Sequence, residues 1–103
     1  MYAENLVFNA LKKWVGAIEV DYYRENQYEV DFIAHTRSSP YFPIEVKYRR
    51  SWDRRDLKGL QHFRTRNPCH MPFVVTRDHG EFGFEEDAKV VRVPLLLFLL
   101  MFD

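Results

Sequence analysis

Three segments between Ile18 and Tyr48 alternate in polarity and are separated by little more than turns. Ile18 to Arg24 is followed by Glu25-Asn26. Tyr28 to His35 is followed by Thr36-Arg37-Ser38-Ser39-Pro40 and then by Tyr41 to Tyr48. Strand-like runs so closely spaced predict an antiparallel meander. Along a strand, residues i and i+2 share a face. Glu45 and Lys47 therefore point one way, and Ile44, Val46 and Tyr48 the other. Glu29 and Asp31 likewise oppose Val30 and Phe32. Two such strands side by side gather two or three carboxylates and one ammonium on a single surface. That cluster is costly unless a cation sits among it. Oxygen ligands without Cys or His partners favour Mg²⁺ or Mn²⁺ over zinc.

The rest of the chain supplies helices to cover such a sheet. Ala3 to Val15 reads as a helix ended by Gly16. Its apolar arc holds Ala3, Leu6, Val7, Phe8, Ala10, Leu11, Trp14 and Val15. Glu4 falls inside that arc, which is unusual for a carboxylate; the plainer reading is a negative charge favouring the helix N-terminus. A second helix runs from about Asp53, a plausible N-cap with Asp56 three residues on, to Arg66. Leu57, Leu60 and Phe63 mark its inward side, and Gln61 lies beside it. Met71 to Thr76 is a short strand buried on both faces. Glu81 to Phe84 is an edge strand for Val90 to Val93, and an apolar helix ends the chain. The order is α-β-β-β-α-β, then a hairpin and a short helix, as one domain over residues 1–103.

Composition sets outer limits. With 103 residues and 47% hydrophobic content, the chain builds one modest core and is not disordered. The lone Cys69 leaves no internal disulfide and suits a reducing cytoplasm. No signal peptide opens the sequence. The apolar run Pro94 to Phe102 is far short of the roughly 20 residues that span a membrane. It reads as a helix packed on the core or as an interface.

The formal net charge is zero, but Lys47 to Arg66 carries eight basic residues against two acidic ones. Arg49, Arg50, Arg54, Arg55, Lys58 and His62 are candidates for nucleic-acid contacts, with Arg54, Lys58 and His62 forming an i, i+4 stripe. A solvated helix face is the plainer reading of that stripe. Tyr48 and Trp52 could stack on unpaired bases or pack at a strand end. The histidines show no zinc spacing, though His35 shares the Asp31 face.

The succession of Glu on a helix, Asp on a strand, Glu-x-Lys on the next and Gln on a helix resembles the PD-(D/E)XK nuclease superfamily in its RecB-like form. Within it, the chain resembles the nuclease-like C-terminal domain of a family of bacterial and archaeal AAA-type ATPases. The matching stretches are Glu4-Asn5-Leu6-Val7-Phe8, Glu29-Val30-Asp31-Phe32-Ile33, Pro43-Ile44-Glu45-Val46-Lys47-Tyr48, Asp56-Leu57-Lys58-Gly59-Leu60 and Val74-Val75-Thr76-Arg77-Asp78. The resemblance implies an α/β restriction-endonuclease-like core with a mixed central sheet. It implies that Asp31, Glu45 and the Val46 carbonyl hold Mg²⁺ or Mn²⁺, with Glu4 an outer or second-metal ligand. Lys47 would act on the attacking water, and Gln61 would bond near Lys47 or the substrate phosphate. Glu29 would be an extra ligand. Val30 stands where the superfamily's name has Pro, and no Gly-rich phosphate loop is present, so ATP chemistry lies outside this sequence.

The chemistry agrees with that assignment. Phosphodiester hydrolysis needs an activated water and neutralised charge in the transition state, which a carboxylate-held ion and a nearby ammonium supply. The sequence therefore predicts a metal-dependent DNA nuclease module. The alternatives are a catalytically silent copy that binds nucleic acid or a partner or parent AAA-type ATPase, and a structural domain that forms a homodimer through the Leu95–Phe102 helix.

Overall fold

The meander is present. The computed structural model describes residues 2–13, 19–35, 40–48, 54–78, 80 and 82–101, apart from the Arg54 side chain. After helix α1 (Tyr2–Lys13) come β1 (Glu19–Glu25), β2 (Tyr28–His35) and β3 (Phe42–Lys47), paired antiparallel in sequence order. The β1–β2 turn uses Asn26 at φ 57°, a left-handed position that Asn tolerates better than most residues.

A helical crossover follows. A 3₁₀ turn (Arg54–Leu57) leads into α2 (Lys58–Arg66) and then to β4 (Phe73–Thr76), parallel to β3. The hairpin of β5 (Gly83–Glu85) and β6 (Val90–Pro94) docks with β6 parallel to β4, and α3 (Leu95–Met101) closes the chain. The six-stranded mixed sheet has the order β1-β2-β3-β4-β6-β5.

Each sheet face carries its own apolar layer. Val7, Leu11, Ile44, Val46, Val75 and Phe98 pack together under α1 and α3. Val30, Ile33, Leu57, Leu60, Phe63 and Val74 pack under α2. Burying a side chain of this size contributes roughly 1.5–3 kcal/mol. The adjacent residues Val74 and Val75 fall in opposite layers, so β4 is buried on both faces, as its short apolar run predicts.

Two local features differ from strict alternation. Asp21 pairs with Ile33, but Tyr23 pairs with Val30, so Asp31 and Phe32 together face Tyr22. This β-bulge turns Val30 toward α2 while Phe32 packs toward α1. Val30 and Phe32 thus do not share a face. Phe8, expected in the buried arc of α1, is 39% exposed at its margin, tilted against Phe32.

The end of α2 is held by Asn67, whose backbone N–H and side-chain amide both donate to the Phe63 carbonyl at 3.1 Å. At its start, Gly59 lies against β2. A Cβ there would stand 2.0 Å from the Glu29 carbonyl oxygen. Gly16, the 36–39 turn and the Asp53 cap lie outside the described residues.

Candidate metal centre

The bulge and the β2–β3 register together build the site. The two strands pair through Phe32 and Ile44, and one residue further on side chains enter between them. The Asp31 backbone N–H donates to Glu45 Oε1 at 3.0 Å. The Val46 backbone N–H donates to Asp31 Oδ2 at 2.8 Å. Each carboxylate is thus fixed by the other residue's strand.

Glu45 is one of two buried polar or charged residues among the described residues, at 4% exposure. Burial, followed by the neighbouring Asp31 charge and a side-chain hydrogen bond with Asp31, pushes its carboxyl up to about 9. Lys47 works in the opposite direction, which places its ammonium within electrostatic reach of Glu45. A carboxyl raised this far keeps its proton at neutral pH.

These residues fit a hard divalent cation. They offer carboxylate oxygens from two adjacent strands, and a cation would relieve the same repulsion that the proton relieves. The Val46 N–H points toward Asp31. In a strand the carbonyl of the same residue points the same way, so the Val46 oxygen also faces this gap.

The other sequence candidates divide. Glu4 is half-buried in the first turn of α1, next to Ala3, which packs in the same layer as Val46. Gln61 is engaged elsewhere. Its amide donates to the Ala88 carbonyl at 2.8 Å, and its oxygen accepts from Arg64. Arg64 also donates to the Ala88 and Lys89 carbonyls. Together they latch α2 to the β5–β6 turn, at the end of β6 away from Lys47, rather than bonding near Lys47. Glu29 accepts from Arg24 Nε at 2.7 Å on the exposed hairpin. His35 lies at the far end of β2, 3.1 Å from Asp21 and 3.8 Å from Glu19, so sharing a strand with Asp31 does not bring it to the site.

The basic flank is partly visible. Lys58 is exposed, with its ammonium 6.0 Å from the centre of the Tyr28 ring, and Arg55 is exposed. His62 stacks on Tyr28 with ring centres 4.0 Å apart and lies 3.0 Å from Glu25. The His62 hydrogen bond is the main cause of the lowered Glu25 carboxyl. Arg49, Arg50, Trp52 and the Arg54 side chain lie outside the described residues.

A family model described as "Domain of unknown function (DUF4143)" matches residues 1–96. The chain belongs to the DUF4143 family. That domain is found in AAA-ATPase-associated proteins. No curated protein and no solved structure matches the chain.

Two residues of this DUF4143 domain escape a reading by motif. Thr76 Oγ1 and Arg92 Nε are the buried side-chain polar atoms without a hydrogen-bond partner among the described residues. Leaving such an atom unpaired costs about 1–3 kcal/mol. Val75, Val91 and Val93 pack toward α1 and α3, so Thr76 and Arg92 face α2. The signal was available in Val90-Val91-Arg92-Val93, where a charge interrupts a central-strand apolar run.

Proposed function

We propose that this DUF4143 domain is a metal-dependent nuclease module with a restriction-endonuclease-like core, hydrolysing DNA phosphodiester bonds. The observation that carries this reading is the interlocked Asp31–Glu45 pair, with Glu45 buried between adjacent strands where a cation would offset the repulsion of the two carboxylates. Structural ion pairs rarely join two carboxylates in a buried gap between central strands, whereas functional sites collect such groups.

In this mechanism Asp31, Glu45 and the Val46 carbonyl would hold Mg²⁺ or Mn²⁺, with Glu4 as an outer ligand. Bound there, such an ion would supply Lewis-acid chemistry toward a phosphodiester. Lys47 extends from the same strand face as Glu45 and places its ammonium beside the attacking water and the developing phosphate charge. Lys suits that task better than Arg, because its charge is compact and it can move a proton. Lys58, Arg55 and the basic residues before them meet the nucleic-acid backbone.

The test is single-turnover cleavage of single-stranded, duplex and branched DNA with Mg²⁺ or Mn²⁺, beside metal titration. Wild type cleaves, Asp31→Ala loses both metal and cleavage, and Lys47→Ala loses cleavage while keeping most metal binding. Wild type that binds metal but cleaves no DNA or RNA would sink the catalytic reading.

A second reading rests on α3. Leu96, Leu100 and Met101 are 56%, 66% and 50% exposed, an apolar strip on a helix of seven residues. Such a strip fits a silent module that docks onto a partner AAA-type ATPase. Binding of that partner without cleavage would favour it.

A further inference from the structure

Thr76 is fully buried at the end of β4, and its hydroxyl has no partner among the described residues. Its neighbours in the sheet are fixed by register. Lys47 of β3 lies on one side and Pro94 of β6 on the other. Neighbouring strands run about 4.8 Å apart, and in-register parallel residues share a face. Val46 and Val75 belong to the layer under α1 and α3. Lys47 and Thr76 therefore turn together toward α2. Pro94 has no N–H to give. The residues over this face, Leu57 of the 3₁₀ turn and Leu60 of α2, are apolar. Arg92 sits one row back on β6, and its Nε makes no bond to Thr76, since both atoms are unpaired. Within its row the Lys47 ammonium is the one side-chain donor; in this structure it does not bond Thr76 either, but the Lys47 side chain is half-buried and rotatable, whereas Arg92 Nε is buried.

Full burial also excludes direct contact with a DNA strand. A hydroxyl so placed acts on its neighbour. We propose that Thr76 is a positioning residue of the carboxylate cleft, its unpaired Oγ1 accepting from the Lys47 ammonium once Mg²⁺ and phosphate are bound and holding it beside the reacting phosphate. This inference rests on the nuclease reading for its catalytic consequence, but the pairing of Thr76 with Lys47 in Mg²⁺-loaded protein is tested apart from it. Buried polar atoms without partners are rare in folded proteins, and this one adjoins the single lysine of the site.

The isosteric pair Thr76→Val and Thr76→Ser tests it. Val removes an unpaired hydroxyl and keeps the shape, so Tm stays level or rises. Single-turnover cleavage falls about tenfold or more, while Mg²⁺ affinity and KM for DNA stay within about twofold. Ser restores cleavage to within about threefold. In a Lys47→Ala background, Thr76→Val has no further effect, because the two residues act as one unit. An independent readout is the Lys47 ammonium NMR signal in Mg²⁺-loaded protein, visible in wild type and Thr76→Ser and broadened in Thr76→Val. Wild-type cleavage in Thr76→Val, additive losses with Lys47→Ala, or failure of Ser to rescue would overturn the proposal. If wild type cleaves nothing, the nuclease reading falls, and the ammonium signal alone decides the contact: unchanged in Thr76→Val, it refutes the positioning role.

Discussion

Asp31 gives its backbone N–H to the side chain of Glu45, 14 residues further along the chain, at 3.0 Å. In the return direction Asp31 takes the N–H of Val46, the residue after Glu45. Two ladder positions are thus filled by side chains, and the ordinary pairing of β2 and β3 stops there. The pair is costly to bury as two anions, and its pH and metal responses follow from that cost.

Without metal, stability falls as pH rises above about 5. Glu45 keeps its proton in the fold up to about 9, whereas in the unfolded chain it loses it near the ordinary 4.5. Between those values the native state binds more protons, so unfolding becomes easier with rising pH, by at most about 1.4 kcal/mol per pH unit. Glu25 has the opposite sign. Its lowered carboxyl stabilises the fold above its unfolded value and loses that effect as pH drops into the acid range. Denaturation in urea from pH 4 to 9, with EDTA present, should show a maximum near pH 5. Glu45→Gln should flatten the alkaline limb.

Asp31→Asn separates charge from hydrogen bonding. Asn still accepts the Val46 N–H, but the anion that raises Glu45 is gone. The metal-free variant should be about 1 kcal/mol more stable than wild type at pH 8. It should also lose the stabilisation by Mg²⁺, about 2.7 kcal/mol at a hundredfold excess over Kd. Calorimetry with and without Mg²⁺ reads both effects. An unchanged Mg²⁺ shift would remove Asp31 from the ligand set.

Gly59→Ala should invert the usual sign of a helical Gly→Ala change. In an exposed helix the substitution gains about 1 kcal/mol. Here the new Cβ would lie 2.0 Å from the Glu29 carbonyl oxygen. Backbone cannot rotate away as a side chain can, so α2 must lift from β2, at a cost of about 3 kcal/mol. The urea midpoint measures it.

Removing positive charge from Lys58 and Arg55 should weaken DNA binding about equally across sequences. Each lost phosphate contact should reduce the slope of log K against log salt by about 0.7–0.9. Fluorescence anisotropy over a salt series, with at least three unrelated DNA sequences, checks this. A loss confined to one sequence would mean base contacts instead.

The sequence reports the elements of this fold well where periodicity is strong. β2 spans Tyr28–His35 as alternation predicts, and β4 is buried on both faces. Glu45 and Asp31 come together because their strands are antiparallel neighbours, which short turns dictate. Alternation fails at Val30, because one extra residue in β2 changes its face and no composition signal marks a bulge. Gln61 is misplaced for a different reason. Its position beside the inward side of α2 is right, but the Ala88 carbonyl comes from a turn 27 residues away, and only the tertiary fold offers that acceptor. Thr76 looks like an ordinary strand residue until the register sets it between Lys47 and Pro94.

β6 lies between β4 and β5, so the hairpin cannot extend the sheet until the crossover through α2 has delivered β4. The β1–β2–β3 meander needs no such delivery, and local pairings close at lower entropic cost than distant ones. Asp31 and Glu45 both belong to that meander. Contact order therefore predicts that the charged gap is assembled in the part of the chain that pairs most readily, before the apolar layers that make it dry. In that order the two carboxylates would still be solvated when they meet, and the full desolvation penalty would arise only when α2 and the parallel strands close over them.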